Sequence, residues 1–405
     1  MLVSVFILFS KHIGEGRMKL LLVADGRSPI TRRWISMLQP LKLEITLVSS
    51  YPCMPIAGVA QQYVLPLAFA QLSGSQAGTA SSDTKKGLVA RFRPFAQRLR
   101  HLIGPWSIAS KSKSFLEIIQ FEKPDLVHAL RLPFEGMLAS YTPRGIPVIL
   151  STWGNDFTLH AAATPKMASM TSRAMQRADA MIADVHRDVR LAQEWGFDTR
   201  KPTMVVPGNG GLDLQELQAV TKGIQKADPP QIINPRGMRS YVRNDTFFKA
   251  IPLVLKKQPG IQFVCASMAG QVEALEWIQN LGIEQNVTLL PFVSQQDLWH
   301  EFAKSQISVS ISTHDGTPNS LLEAMALGCL PICGDIESIR EWITPAENGL
   351  LVDPSNPAAL AESILNSLEN PLFRDQAAQK NIVLVRERAN LENVRIKVAA
   401  FYDRS

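Results

Sequence analysis

The chain reads as an α/β protein with two Rossmann-like parallel-sheet domains in series, facing each other across a cleft that takes the ligand. Three observations predict this. Short apolar, β-branched runs alternate with helical segments through both halves. The alternation stops at Pro207-Gly-Asn-Gly-Gly-Leu-Asp213 and in the polar stretch Thr221 to Pro230, then restarts at Gln231. Finally, Asp315 to Pro331 has the make-up of a tight loop and helix between two buried strands, and such loops carry ligands at the strand carboxyl ends.

In the first half, Leu20 to Ala24 predicts a strand, Ile30 to Leu38 a helix and Leu43 to Ser49 a second strand. A helix over Ser114 to Gln120 precedes the strand Pro124 to His128. Further strands follow at Pro147 to Thr152, Ala180 to Asp184 and Thr203 to Pro207, with a helix over Val185 to Trp195. Residues 1–17 read as a loose tail or an upstream start. Their apolar run is too short to span a bilayer and lacks the basic flank and cleavage site of a signal peptide. The expected boundaries are an N-terminal domain over 18–210, a linker over 211–230, a second domain over 231–385, and a C-terminal helix over 386–405 crossing back to the first.

The second half repeats the pattern. Strands are predicted at Gln231 to Asn234, Ile261 to Ala266, Val287 to Leu290, Ile307 to Ser312, Leu330 to Cys333 and Gly349 to Val352. Helices are predicted at Asp245 to Lys257, Gln271 to Asn280, Ser294 to Ala303 and Pro357 to Leu368, and from Phe373 onward. After Gly316, Pro318 favours a first helical turn, while Gly328 and Pro331 end the helix. Backbone amides from Thr317 to Leu321, Asn319 and Ser320 among them, then point at the space above the strand end, ready to hold an anion. Asp315 and Glu323 lie eight residues apart on this unit and suit a ribose diol or a sugar.

The stretch Asp315-Gly-Thr-Pro-Asn-Ser-Leu-Leu-Glu323-Ala-Met-Ala resembles the acidic pair and its intervening wording in retaining family 4 glycosyltransferases, although the family normally has Glu where Asp315 stands. Pro124-Asp-Leu-Val-His-Ala129, Pro147 to Asp156, Arg177-Ala-Asp-Ala180 and Asn348-Gly-Leu-Leu-Val352 are similar to other fragments of that family, in its order. The resemblance runs from about Met18 to the end. It implies the GT-B architecture and transfer of a sugar from a nucleoside diphosphate sugar to an acceptor hydroxyl, with retention. It further implies a cytoplasmic enzyme, at the inner membrane face, that builds a surface glycan on a lipid carrier.

The resemblance also assigns roles. Glu323 holds the nucleotide ribose and Asp315 the donor sugar. Arg236 and Arg243, in the loop after the first strand of the second domain, stabilise the leaving diphosphate, with Arg239 an alternative to Arg243. These fixed cations make the reaction metal-independent, and no cofactor is implied beyond the sugar nucleotide. Phe292 and Val293 lie where the family holds its nucleobase, though Phe292 is equally credible as core. Gly26 is all that remains of a double glycine. Trp153 stands where many relatives have a His. Asn155 and Asp156 are placed to position sugar or acceptor hydroxyls, or to form an Asx turn. His128 is a further acceptor-side candidate or a structural residue.

Composition excludes other classes. Apolar residues make up 46% and charged residues 19% of the 405, which is globular rather than disordered. Cys53, Cys265, Cys329 and Cys333 fall at no zinc or disulfide spacing. No Gly-x-Gly-x-x-Gly supports a dinucleotide oxidoreductase. Residues 85–113 hold eight Lys or Arg and no acid, interleaved with Leu88, Phe92, Phe95, Leu99, Leu102 and Trp106. This segment predicts either an interfacial helix against anionic lipid or a surface helix packed on its own domain. It lacks the motifs of a nucleic-acid binder. Two rival functions share the fold: a catalytically silent sugar-nucleotide-binding partner and a sugar-nucleotide epimerase.

Overall fold

The computed structural model describes residues 17–67 and 86–404; for residues 86–99 it describes the backbone alone. The expected tail therefore lies outside the described residues except for Arg17, as do the side chains of Leu88, Phe92, Phe95 and Leu99. The chain divides into two compact units, one of which takes in Phe92–Gly211 and Glu392–Ser405 with the N-terminal strands, the other Leu212–Leu391.

The first unit is a seven-stranded, all-parallel sheet: β1 (Met18–Ala24), β2 (Leu43–Ser49), β3 (Gln61–Val64), β4 (Leu126–Ala129), β5 (Val148–Thr152), β6 (Ala180–Ala183) and β7 (Thr203–Val205). Its spatial order is β3-β2-β1-β4-β5-β6-β7, so the order reverses between β1 and β4. The central strands are buried on both faces, which explains their continuous apolar wording. Helices α1 (Pro29–Leu38), α2 (Lys86–Glu122), α3 (Met137–Ala139), α4 (Pro165–Arg177) and α5 (His186–Glu194) connect them. Leu21, Val127, Leu150, Phe115, Met137 and Met181 join one core.

The second unit is a six-stranded parallel sheet: β8 (Gln231–Asn234), β9 (Gln262–Cys265), β10 (Val287–Leu289), β11 (Ile307–Ser310), β12 (Leu330–Gly334) and β13 (Leu350–Val352). The order is β10-β9-β8-β11-β12-β13, with the reversal between β8 and β11. Its helices are α6 (Leu214–Thr221), α7 (Asn244–Leu255), α8 (Val272–Leu281), α9 (Gln295–Lys304), α10 (Asn319–Ala326), α11 (Pro357–Glu369) and α12 (Pro371–Ala389). The core centres on Ile232, Phe247, Phe263, Val309 and Ile332. The last helix, α13 (Leu391–Tyr402), belongs to the first unit.

Four details differ from the sequence reading. β3 was not expected: Gln61-Gln-Tyr-Val64 has too few apolar residues to announce a strand and gains its order by pairing with β2. The two short helical segments expected within 88–120 are parts of the single 37-residue α2, which runs through Pro94. The expected linker contains α6, started by Asp213, whose carboxylate accepts from the amides of Gln215 and Glu216 at 3.1 and 3.0 Å. The helical stretch expected from Phe373 onward is two helices, the first capped by Asn370, with extended Asn390 as the break between them. Among the described residues no helix is long and apolar enough to cross a membrane.

Candidate functional site

In a doubly wound sheet the loops on either side of the strand-order reversal splay apart and leave a crevice at the strand carboxyl ends. In the second unit those loops follow β8 and β11. Asn234, the last residue of β8, is buried. Its side chain accepts from the Arg236 amide at 3.2 Å and donates to Asn244 at 2.9 Å, and Asn244 in turn donates to the Gly237 carbonyl at 2.9 Å. Gly237, at φ +63°, makes the tight turn that this pair closes.

The loop so held delivers Arg236 to the neighbouring one. Its Nη2 donates to Asp315 Oδ2 at 2.5 Å and its Nη1 to Ser320 Oγ at 3.4 Å, while its Nε is buried without a hydrogen-bond partner. Asp315 is itself fixed: its carboxylate accepts from the Gly316 amide at 3.2 Å and its carbonyl from Ser338 Oγ at 2.7 Å. Trp342 Nε1 donates to Thr317 Oγ1 at 2.9 Å and pins the rest of the loop.

Pro318 caps α10 in extended geometry, and its carbonyl accepts from the amides of Leu321 and Leu322 at 3.0 and 3.3 Å. The Leu321 amide, expected to face a ligand, is thus used within the turn. The amides of Asn319 and Ser320 precede the first intrahelical bond, and no carboxylate occupies the first turn of α10. The result is a helix start with positive polarity, with a guanidinium beside it. One turn further along α10, Glu323 is 4% exposed and accepts from Gln295 Nε2 at 2.6 Å. Gln295 begins α9 directly after Ser294, whose hydroxyl caps that helix by accepting from the Asp297 amide.

The other second-unit candidates make other contacts. Arg243 is engaged by Asp245 through two contacts of 2.8 Å, and that hydrogen-bonded pairing raises its pKa. Arg239 turns back onto the Arg236 carbonyl at 3.1 Å and Tyr241 Oη at 3.2 Å. Phe292 is 89% exposed, so its place is not the core, and Val293 beside it is half-buried.

In the first unit, Asp156 is fully buried. Its carboxylate accepts from Arg131 Nε at 3.0 Å and from the amides of Leu132 and Trp153, both at 3.1 Å. Burial pushes its carboxyl pKa up, against the pull of Arg131. Asp156 therefore ties the loop after β5 to the loop after β4. Arg131 also reaches Asn155 Oδ1 at 3.5 Å. Gly154 is held from β6's side, donating to Asp184 Oδ2 at 3.2 Å and accepting from Arg187 Nη2 at 2.6 Å. Trp153 lies against Gly208, where an added Cβ would come within 2.9 Å of the indole.

His128 and Gly26 take structural places. His128 has no exposed surface: Nδ1 meets Tyr402 Oη at 2.7 Å and Nε2 meets Ser151 Oγ at 2.8 Å. Trp34 Nε1 donates to the same tyrosine oxygen at 3.2 Å, which links the indole to the imidazole. Burial lowers its pKa to about 3. Enclosed in this way, His128 has no face to offer an acceptor. The Gly26 amide donates to Ser49 Oγ at 3.0 Å, and a Cβ there would sit 2.4 Å from Cys53 Sγ.

Sequence reasoning missed Gln295, Ser338 and Trp342, which reach the site from α9 and from the segment after β12. It also missed Arg131, for which there was a signal: the residue stands just past the strand that ends at Ala129.

Residues 220–382 match the family model described as glycosyl transferases group 1. That match spans most of the second unit. The match takes in Arg236, Gln295, Asp315 to Leu321 and Glu323.

A Campylobacter jejuni N-acetylgalactosamine-N,N'-diacetylbacillosaminyl-diphospho-undecaprenol 4-alpha-N-acetylgalactosaminyltransferase is 31% identical over 118 residues, which cover 29% of this chain and 31% of that enzyme. The chain thus spans less than a third of that relative's length. A Xanthomonas oryzae GDP-mannose:cellobiosyl-diphosphopolyprenol alpha-mannosyltransferase is 23% identical over 296 residues, covering 70% of this chain and 72% of that enzyme. The solved structure of Anabaena HepE in complex with UDP superposes with a TM-score of 0.66 at 15% identity, over 95% of this chain and 99% of that one. The last likeness concerns fold alone: the chain has the two Rossmann-like parallel-sheet units of the GT-B architecture.

Proposed function

We propose that the protein is a retaining glycosyltransferase of family 4 type. It moves a hexosyl or N-acetylhexosaminyl group from a nucleoside diphosphate sugar to an acceptor hydroxyl, in the assembly of a surface polysaccharide or glycolipid. The observation that carries this reading is the contact of Arg236 with both Asp315 and Ser320 at the start of α10, one turn before buried Glu323.

On this reading the diphosphate rests on the amides of Asn319 and Ser320 and on Arg236, which exchanges part of its contact with Asp315 for phosphate oxygens. Glu323 takes the ribose diol, with Gln295 fixing its carboxylate, and Asp315 takes sugar hydroxyls. As the anomeric C–O bond breaks, its electron pair goes to the diphosphate oxygen, where preorganised amides and a guanidinium stabilise the charge. The acceptor oxygen attacks the same face and passes its proton to the departing phosphate. Fixed cations take the place a metal would otherwise have. A cytoplasmic location at the inner membrane face fits acceptors like the diphosphopolyprenol glycan that the Xanthomonas relative's name describes.

The test is a panel of nucleoside diphosphate sugars screened by thermal shift, followed by turnover of whichever donor binds. A bound donor raises the melting temperature by mass action. Transfer of its sugar to a lipid-linked or glycan acceptor, with the anomeric configuration kept, supports the reading. Binding without turnover identifies a silent binding partner, and epimer formation without acceptor identifies an isomerase.

A further inference from the structure

The loop that leads from Asp315 into α10 ends on Pro318, which has no amide to bond. Side chains from one later turn hold it. That turn is the short 3-10 segment Ile339–Glu341 with its flanking residues, Ser338 and Trp342. Ser338 and Trp342 are both buried, and they donate to the Asp315 carbonyl at 2.7 Å and to Thr317 Oγ1 at 2.9 Å. Thr317 directly precedes the Pro318 cap, so its place decides where the amides of Asn319 and Ser320 aim.

Helix α12 holds this turn in its own right. Arg388 sets its guanidinium 4.0 Å from the centroid of the Trp342 ring, and its Nη1 donates to the Glu341 carbonyl at 2.7 Å. About two helical turns earlier, fully buried Asn381 accepts from Asn348 Nδ2 at 2.9 Å and donates to the Asn348 carbonyl at 2.8 Å. Asn348 Nδ2 also donates to the Trp342 carbonyl at 2.9 Å. Trp342 further shares one apolar core with Leu322 and Met325 of α10 and Val385 of α12.

That core alone would not choose the tilt of the indole. Apolar burial is non-directional, whereas a hydrogen bond weakens steeply as its angle closes. A planar guanidinium on the ring face, itself tied to the carbonyl of the preceding residue, removes the freedom to tilt. We propose that Arg388 and Trp342 are positioning residues for diphosphate recognition: the guanidinium orients the indole, the indole N–H fixes Thr317, and Thr317 aims the amides at the start of α10. This rests on the glycosyl-transfer reading and adds what keeps the diphosphate-binding turn in its working geometry.

The test compares the full wild-type chain with Trp342→Phe, which keeps a ring but loses the N–H, with Thr317→Val, which loses the acceptor, and with Arg388→Met. The pairs Trp342→Phe/Thr317→Val and Arg388→Met/Thr317→Val complete the set. Calorimetry gives nucleoside diphosphate affinity, and displacement of that ligand gives the affinities of inorganic pyrophosphate and of the unphosphorylated nucleoside. Turnover is measured with the donor that the thermal-shift panel identifies.

Each single variant should lower turnover by about tenfold and weaken nucleoside diphosphate and pyrophosphate by about fivefold, because the amides are misaimed. Nucleoside affinity should stay within about twofold, which also shows that the variants are folded. Neither pair should be worse than its single variants, since all three residues act through one contact. Equal losses of nucleoside and pyrophosphate binding overturn the proposal and leave Trp342 an ordinary core residue. Additive losses in the pairs overturn it too, as does pyrophosphate binding at wild-type strength in every variant. A wild-type chain that binds nucleoside diphosphate but turns over no donor sinks the transferase reading alone, and the binding measurements still decide the roles of Arg388 and Trp342.

Discussion

Arg236 and Asp315 meet at 2.5 Å across the strand-order reversal of the second unit, with side chains only 11% and 12% exposed. Each comes from a loop that directly follows a buried strand, so the pairing is set by topology rather than by closeness in sequence. It holds a cation at the start of α10 before any ligand arrives.

Removing the acid should expose what it compensates. Asp315→Ala leaves a mostly buried guanidinium without its counter-ion, and stability is expected to fall by about 3 kcal/mol. A bound nucleoside diphosphate supplies replacement oxygens, so it should raise the melting temperature of this variant more than that of the wild type. Denaturant titration with and without nucleotide measures both; unchanged unfolding would show that the pair carries no such charge.

On the proposed reading, Glu323 separates ribose from phosphate recognition. With Glu323→Ala, nucleoside diphosphate affinity should drop about tenfold, the loss expected for hydrogen bonds to a charged acceptor. Inhibition by inorganic pyrophosphate should stay as it was. Isothermal titration and competition assays read the two quantities, and equal losses in both would move Glu323 away from the ribose.

His128 makes stability depend on pH. Its folded pKa is about 3 because burial disfavours the charged form, whereas the unfolded chain takes up that proton near 6.5. Between those values the unfolded state binds more protons, so this contribution is intact above about pH 6.5. It is lost at about 1.4 kcal/mol per unit as the pH falls toward 3. Stability curves from pH 7 to 4 should be flatter for His128→Asn by that slope. Parallel curves would show that the imidazole is not held neutral.

Chelation provides a simple check on the leaving-group chemistry. If Arg236 and the amides of α10 carry the diphosphate charge, turnover should be the same in EDTA as in magnesium. A strict requirement for a divalent ion would assign that charge elsewhere.

The parts of this site that could be read from sequence are those that sit immediately after strongly apolar strands. Ile232 to Asn234 and Ile307 to Ser310 announce themselves by burial on both faces, and Arg236 and Asp315 follow them at short range. Glu323 was legible because helical periodicity fixes its place relative to Asn319. What pairs with these residues was not legible. Asp245 engages Arg243, Gln295 reaches Glu323 from another helix, and Tyr402 reaches His128 from the far end of the chain. Such partners are set by tertiary packing, which leaves no local pattern. The same holds for β3, whose order comes from an edge pairing, and for Arg388, whose ring partner comes from a separate turn.

The most direct test of the central claim is Arg236→Ala, assayed for turnover with the donor that the thermal-shift panel identifies. Loss of one preorganised donor at a developing oxyanion lowers turnover by about a hundred- to a thousandfold, and the account predicts that loss with nucleoside diphosphate affinity changed by less than about tenfold. Turnover at the wild-type rate would contradict it.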